Sequence, residues 1–92
     1  MKHLYWYLFA GTRGGMTRIK IVHEIEHEPI NANRLAEKLQ LDYKTVRHHL
    51  KVLMKNRLII AEGYYGANYF VAPEFNKLVF SEIWEKVGKN HG

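Results

Sequence analysis

Apolar residues recur along this chain first at helical spacing and then at strand spacing. Residues 17–27 carry Ile21, Val22 and Ile25 as one stripe, with Lys20, Glu24 and His27 off it, which predicts an amphipathic helix. Pro29 ends that helix, because the residue before a proline is pushed out of helical conformation. Asn31 then supplies an N-cap for a short helix over 32–40, with Leu35, Ala36 and Leu39 facing inward. Leu41 and Asp42 make a turn, and Asp42 caps a further helix over 43–55 whose inward residues are Val46, Leu50 and Leu53. Asn56 is expected in the left-handed conformation that ends it.

From Leu58 the period changes. Residues 58–62 (LIIAE) and 68–72 (NYFVA) are β-prone runs joined by GYYGA, which predicts a hairpin. After Pro73, residues 74–87 are expected as a helix with Val79, Phe80, Ile83, Trp84 and Val87 on one broad face, and 88–92 as a frayed tail. The opening segment, residues 3–10 (HLYWYLFA), fits either a short helix or a strand, and GTRGG after it is a turn. The expected class is α+β, mainly α: a single domain over 1–92 with an N-terminal arm at 1–16, core and wing at 17–72, and a C-terminal helix at 74–88 serving as a dimer element.

Residues 31–57 hold the functional signal. In a helix-turn-helix, a small residue in the first helix lets the second cross it closely, and a β-branched residue in the second packs over it. Ala36 and Val46 fill those roles, with Leu35, Leu39, Leu41 and Leu50 completing a small core. Gln40 stands at the turn position where glycine is common. The outer face of the 43–55 helix presents Tyr43, Lys44, Arg47, His48 and Lys51 at i, i+3/i+4, i+7 spacing, a cationic surface rich in long donors as groove readout requires.

Charge sharpens this picture. The net charge is +5, and residues 34–57 carry seven basic side chains against two acidic ones, whereas residues 1–33 and 58–92 nearly balance. A concentrated basic stretch on a helix points to a polyanion, with a solvated basic face as the plain alternative. Cysteine is absent, so disulfides and thiolate chemistry are excluded. The longest apolar run, residues 4–10, is far short of the roughly 20 residues a spanning helix needs. A cytoplasmic location without membrane contact is expected.

The run LAEKLQLDYKTVRHHLKVL, followed by LII and a hairpin, resembles the ArsR-type winged-helix regulators, in particular small archaeal-like members that open with a GTRGG-x-TR stretch such as residues 11–18. The resemblance covers roughly residues 11–72. It implies a winged helix-turn-helix with a three-helix core, a β-hairpin wing and a C-terminal helix, acting as a homodimeric repressor on double-stranded DNA. The 43–55 helix would enter the major groove and the hairpin would lie along the backbone. The cysteine-based metal-sensing motif of that family is missing, so no cofactor or metal is expected. Where the family commonly has glycine this chain has Arg57.

Within that expectation, Arg47 is the first candidate for a base contact, since a guanidinium matches a guanine edge with two hydrogen bonds. Tyr43, Lys44, Thr45 and His48 are candidates for base or phosphate contact, and Lys51 and Lys55 for phosphate, with helix capping the alternative role of Thr45. His49, three residues after Val46, is expected to be structural. The wing candidates are Tyr64, Tyr65 and Asn68. The tip has no arginine or lysine, and packing of the two tyrosines on the domain or on a partner is slightly favoured over phosphate contact.

His23 and His27 have the spacing of a two-histidine metal site, but two ligands do not make one, and a solvated polar face is the expected role. Glu24 and Glu28 lie on a surface helix with no pocket to shift their pKa values, so acid–base chemistry is not expected, nor is any other enzymatic activity. The aromatic N-terminus and the 75–87 stripe either pack internally or form a two-fold interface, the latter favoured because so small a domain gains from shared burial. The competing function is a protein-interaction winged helix within a larger assembly that binds no DNA, and the clustered charge argues against it. A duplex RNA or left-handed DNA reader on the same scaffold is a further possibility.

Overall fold

The order of elements in the computed structural model, which describes residues 1–89, follows from a few punctuating residues. Helix α1 spans Lys2–Ala10 and α2 spans Gly15–His27. Glu28 is extended ahead of Pro29, which stops α2 as expected. Helix α3, Ala32–Leu39, starts at Asn31, whose Oδ1 accepts from the Arg34 amide at 2.8 Å. Helix α4, Tyr43–Lys55, starts at Asp42, whose Oδ2 accepts from the Thr45 amide at 3.2 Å. Strands β2 (Ile59–Glu62) and β3 (Asn68–Val71) form the hairpin, with Ile59 opposite Val71 and Glu62 opposite Asn68. The architecture is a winged helix-turn-helix, mainly helical, with a small antiparallel sheet. Among the described residues no helix is long and apolar enough to cross a membrane.

Several expectations are corrected. The opening segment, for which helix and strand fit equally, is a helix packed into the core, with Tyr5, Leu8 and Phe9 buried at i, i+3, i+4 spacing. Residues Ile30–Asn31 form an additional short strand, β1, pairing with β3 in the order β1-β3-β2. A two-residue strand that follows a proline and whose second residue is itself a helix cap offers no alternation from which to predict it. Asn56 does not take the left-handed conformation (φ −93°); Arg57 does (φ 65°), at the position where the resemblance implies glycine. Gln40 also takes it (φ 54°) and ends α3. The last helix, α5, begins at Lys77 because Asn76 is its N-cap, accepting from the Val79 amide at 3.0 Å. Trp84–Gly88 then widens into a π turn in which Gly88 is buried, so the fraying expected from residue 88 is not found there; residues 90–92 lie outside the described residues.

The core joins α1, α2, α4 and α5 through Ile19, Ile21, Val22, Leu50, Leu53, Phe80 and Ile83. The aromatics divide their surface among themselves. Tyr5 meets Phe9 edge-on with centroids 5.9 Å apart, Phe9 meets Phe80 at 5.2 Å, and Phe75 sits at 6.0 Å from Tyr5 and 5.7 Å from Phe80. The Tyr5 hydroxyl accepts from the Asn76 amide at 2.7 Å, fixing the start of α5 on α1. Tyr5, Phe9, Phe75 and Phe80 are therefore engaged inside one copy, while Tyr7 remains exposed on α1.

One charge is buried among these elements. Arg18 is 5% exposed; its Nε donates to the Leu8 carbonyl at 3.0 Å, Nη2 to the Thr12 hydroxyl, and Nη1 to His49 Nδ1 at 3.1 Å. Arginine can only donate, so Nδ1 accepts and the imidazole proton lies on Nε2. Among the described residues no ion pair includes Arg18. The turn is shaped around this group: Gly14 has φ 88°, and a Cβ there would lie 2.8 Å from His49 Cε1. Burial lowers the His49 pKa, and the neighbouring Arg18 charge and then His48 add to it.

Two predictions follow from these local features. Arg57→Gly should raise stability by up to about 1 kcal/mol in urea unfolding, since glycine takes φ 65° without strain, offset in part by its greater freedom when unfolded. An unchanged or lower stability would mean that Arg57 is held by something other than its backbone geometry.

The second concerns pH. Above the ordinary histidine value both folded and unfolded His49 are neutral and the Arg18 bond is intact. As pH falls below about 6.5 the unfolded chain takes up a proton that folded His49 resists, so stability falls from there towards the lower folded value. Thermal unfolding between pH 7.5 and 5.5 should therefore show a steeper loss in the wild type than in His49→Gln. Equal slopes would remove His49 as the source.

Candidate nucleic-acid interface

Helix α4 is held from within by Val46, His49, Leu50 and Leu53, all buried, and this determines what its other side presents. Lys44, Thr45, His48, Lys51 and Lys55 are exposed, with positions 44, 48, 51 and 55 recurring on one side. Among the described residues none of the α4 cations forms an ion pair with a carboxylate. The face is thus cationic and unneutralised.

The charge count of residues 34–57 nevertheless overstates this face. Lys38 turns away to α2 and pairs with Glu24 at 2.8 Å, and the hydrogen bond to that carboxylate raises its pKa. Arg34 is exposed on α3, and Arg57 lies beyond the end of α4. The excess is shared among three elements, a partition that the linear count hides.

Arg47 is placed differently from its neighbours. It is half-buried, and its Nη1 donates to the Tyr69 hydroxyl at 3.0 Å. Tyr69 itself is buried beneath the hairpin. Together with Tyr43, Asn33, Tyr64 and Tyr65 these two residues line a cleft of about 240 Å³ between α4 and the hairpin. Arg47 and Tyr43, four residues apart, therefore face the wing, whereas Lys44, His48 and Lys51 face outward. Sequence reasoning missed Tyr69 and Asn33. The alternation of β3 marks Tyr69 as inward, but only the seating of the sheet, with β2 on α4 and β3 on α2, brings its hydroxyl to Arg47.

The wing tip is not packed on the domain. Tyr64 and Tyr65 are 100% and 99% exposed, so of the two packing alternatives the one on the domain itself is corrected. Asn68, at the start of β3, is exposed and pairs across the sheet with Asn31 and Glu62. His49 is buried on Arg18, in the structural role expected of it, while His48 points outward with the two rings 5.3 Å apart. Thr45 receives the Asp42 cap through its amide, leaving the side chain exposed.

The other residues singled out have local partners. His23 stacks flat on Trp84, centroids 3.8 Å apart at 6°, and His27 lies 5.2 Å from His23. Glu24 is engaged by Lys38. Among the described residues no group of three or more histidines or carboxylates is arranged to hold a metal.

Residues 16–61, half of the chain, match the family described as "Bacterial regulatory protein, arsR family". No curated protein matches the chain. The matched stretch runs from α2 through both helices of the helix-turn-helix into β2, the part of the fold that carries the cationic face. The chain belongs to the ArsR family of regulatory proteins and is a DNA-binding transcription regulator.

Proposed function

We propose that the protein is a homodimeric, cytoplasmic repressor that reads double-stranded DNA with α4 in the major groove. The observation that carries this is the unneutralised face of α4: Lys44, His48, Lys51 and Lys55 exposed in helical register on a helix anchored by four buried side chains. An α-helix fits the major groove, and fixed donors on its outer side are what base edges and phosphates need. Arg47 is the principal base contact. Its hydrogen bond to Tyr69 orients the guanidinium before DNA arrives, which lowers the entropy lost on binding. Tyr43, Lys44, Thr45 and His48 contact bases or phosphates, Lys51 and Lys55 phosphates, and the hairpin residues Tyr64, Tyr65 and Asn68 the flanking DNA.

The test is fluorescence anisotropy with mixed-sequence duplex at two salt concentrations. Wild type should bind in a salt-dependent manner, each phosphate contact contributing a log–log slope near about −0.9. Arg47→Ala/Lys51→Ala should weaken binding by roughly tenfold or more and flatten that slope by about one contact. An unaffected double mutant would move the DNA surface off α4. Absence of wild-type binding at low salt would favour the protein-interaction function instead.

The dimer is a separate step. With the aromatic core consumed internally, the large apolar groups still exposed on α1 and α5 are Tyr7 and Leu78, with Met1 beside α1. A two-fold pair would set two α4 helices about 34 Å apart, one turn of duplex. Sedimentation velocity should find a dimer for wild type and a folded monomer for Tyr7→Glu/Leu78→Glu. A monomeric wild type would remove the dimer while leaving the role of α4 intact.

A further inference from the structure

The hairpin lacks what a wing that grips phosphates needs. No lysine or arginine occurs between Leu58 and Asn76, and the hairpin's one charged side chain is Glu62. Electrostatic attraction to DNA must then come from α4, and the hairpin has to contribute by other means or not at all. What it offers is flat aromatic surface. Tyr64 and Tyr65 stand fully exposed on a tip between Gly63 and Gly66, where their rings do nothing for the core.

These rings do not stand alone. They border the cleft whose other walls are Tyr43, at the first turn of α4, and the hydrogen-bonded pair Arg47 and Tyr69. Four phenol rings and a planar guanidinium thus surround a space of about 240 Å³ that opens beside the cationic face. A phosphate is recognised by convergent cations, and only Arg47 is at hand. A nucleobase is recognised by planar faces, tolerant of sequence because every base has one, and by a few donors at its edge. Of the two ligands the lining suits the second.

We propose that this cleft is a stacking subsite for one partly unstacked base of the bound DNA, taken where the duplex leaves the groove occupied by α4. The inference rests on the role of α4 proposed above. Tyr64 and Tyr65 supply stacking faces, Tyr43 closes the opposite side, and the free N–H groups of Arg47 meet the base edge or its sugar. Unstacking is easiest at pyrimidine–purine steps and easier still at a mismatch or an unpaired base, so the protein favours duplexes that kink at the wing.

The test compares the full-length wild type, Tyr64→Ser/Tyr65→Ser and Tyr64→Phe/Tyr65→Phe on two duplexes of equal length, one fully paired and one carrying a single unpaired adenine. Both positions are entirely exposed, so neither variant removes a core contact. Wild type should prefer the duplex with the unpaired base by several-fold, and the Phe variant should keep that preference. The Ser variant should lose it together with roughly tenfold in affinity for that duplex, with the log–log salt slope the same in all three.

Loss of affinity in the Phe variant equal to that in the Ser variant would show hydroxyl contacts to phosphate and overturn the subsite, as would a flattened salt slope in the Ser variant. Equal binding by all three proteins, with Lys44→Ala/Lys51→Ala on the outer side of α4 still defective, would overturn the subsite and leave α4 as the DNA helix. Failure of the wild type to bind either duplex would overturn both.

Discussion

A buried guanidinium that no carboxylate among the described residues neutralises joins α1, the following turn and α4, and the seating of α4 depends on it. Arg18 spends its donors on three neutral acceptors: the carbonyl at the end of α1, the Thr12 hydroxyl and the His49 ring. A buried charge is costly when unpaired, so each of these acceptors is held in place by backbone geometry. The glycines of the GTRGG segment make that geometry possible. Gly14 bends through a left-handed conformation with no room for a side chain against His49, and Gly15 passes directly over the Phe9 carbonyl. Residues 11–18 thus form a bracket whose last member reaches into α4. The apolar groups around it, Ile19, Leu50 and Leu53 among them, offset the desolvation that the arrangement costs.

The same economy of pairing determines where positive charge remains available. Lys38 is withdrawn by Glu24, while Lys2, Lys86 and Lys89 are matched by Glu82 and Glu85 at the other end of the molecule. Among the described residues, Lys44, Arg47, Lys51 and Lys55 on α4 are in no ion pair and form the densest group of such cations. Exposed ion pairs contribute little to stability, so this partition matters less for folding than for the field the protein presents. A polyanion approaching the molecule therefore meets its densest run of unneutralised cations on α4, with Arg34 and Arg57 as outliers on either side.

Much of this was legible in the sequence, and the reasons for the exceptions are physical. Caps and breakers act locally, so Asn31, Asp42 and Pro29 located the central helices almost to the residue, and Ala36 with Val46 identified how they cross. The 74–87 helix was placed too early because Pro73 stops one structure without starting the next, a role that belongs to Asn76. Asn56 looked like the helix stop since asparagine tolerates left-handed geometry. Instead its side chain donates back to the Val52 carbonyl at 2.9 Å, which keeps it right-handed and passes the turn to Arg57. The opening helix was undecidable because eight residues rich in aromatics fit both periods, and its burial against Phe80 is a contact over seventy residues. The outward residues of α4 follow from helical spacing alone. The pairing of Arg47 with Tyr69 does not, because it depends on how the sheet is seated across α2 and α4.

The division between a charged helix and an aromatic tip also has a physical logic. A long cationic side chain on a hairpin tip would lose most of its rotamer freedom on docking, in addition to the ordering of the tip itself. On α4 the backbone is already fixed by four buried residues, so the only freedom lost is that of the side chains, and one of the candidates, Arg47, is restrained beforehand by Tyr69. Tyrosine has only two side-chain torsions and offers a large flat surface, so a tip made of tyrosines loses less freedom per unit of contact than one made of lysines. In the proposed binding mode, charge on the rigid element and stacking surface on the exposed one would let the helix set register while the wing responds to the shape and deformability of the flanking duplex.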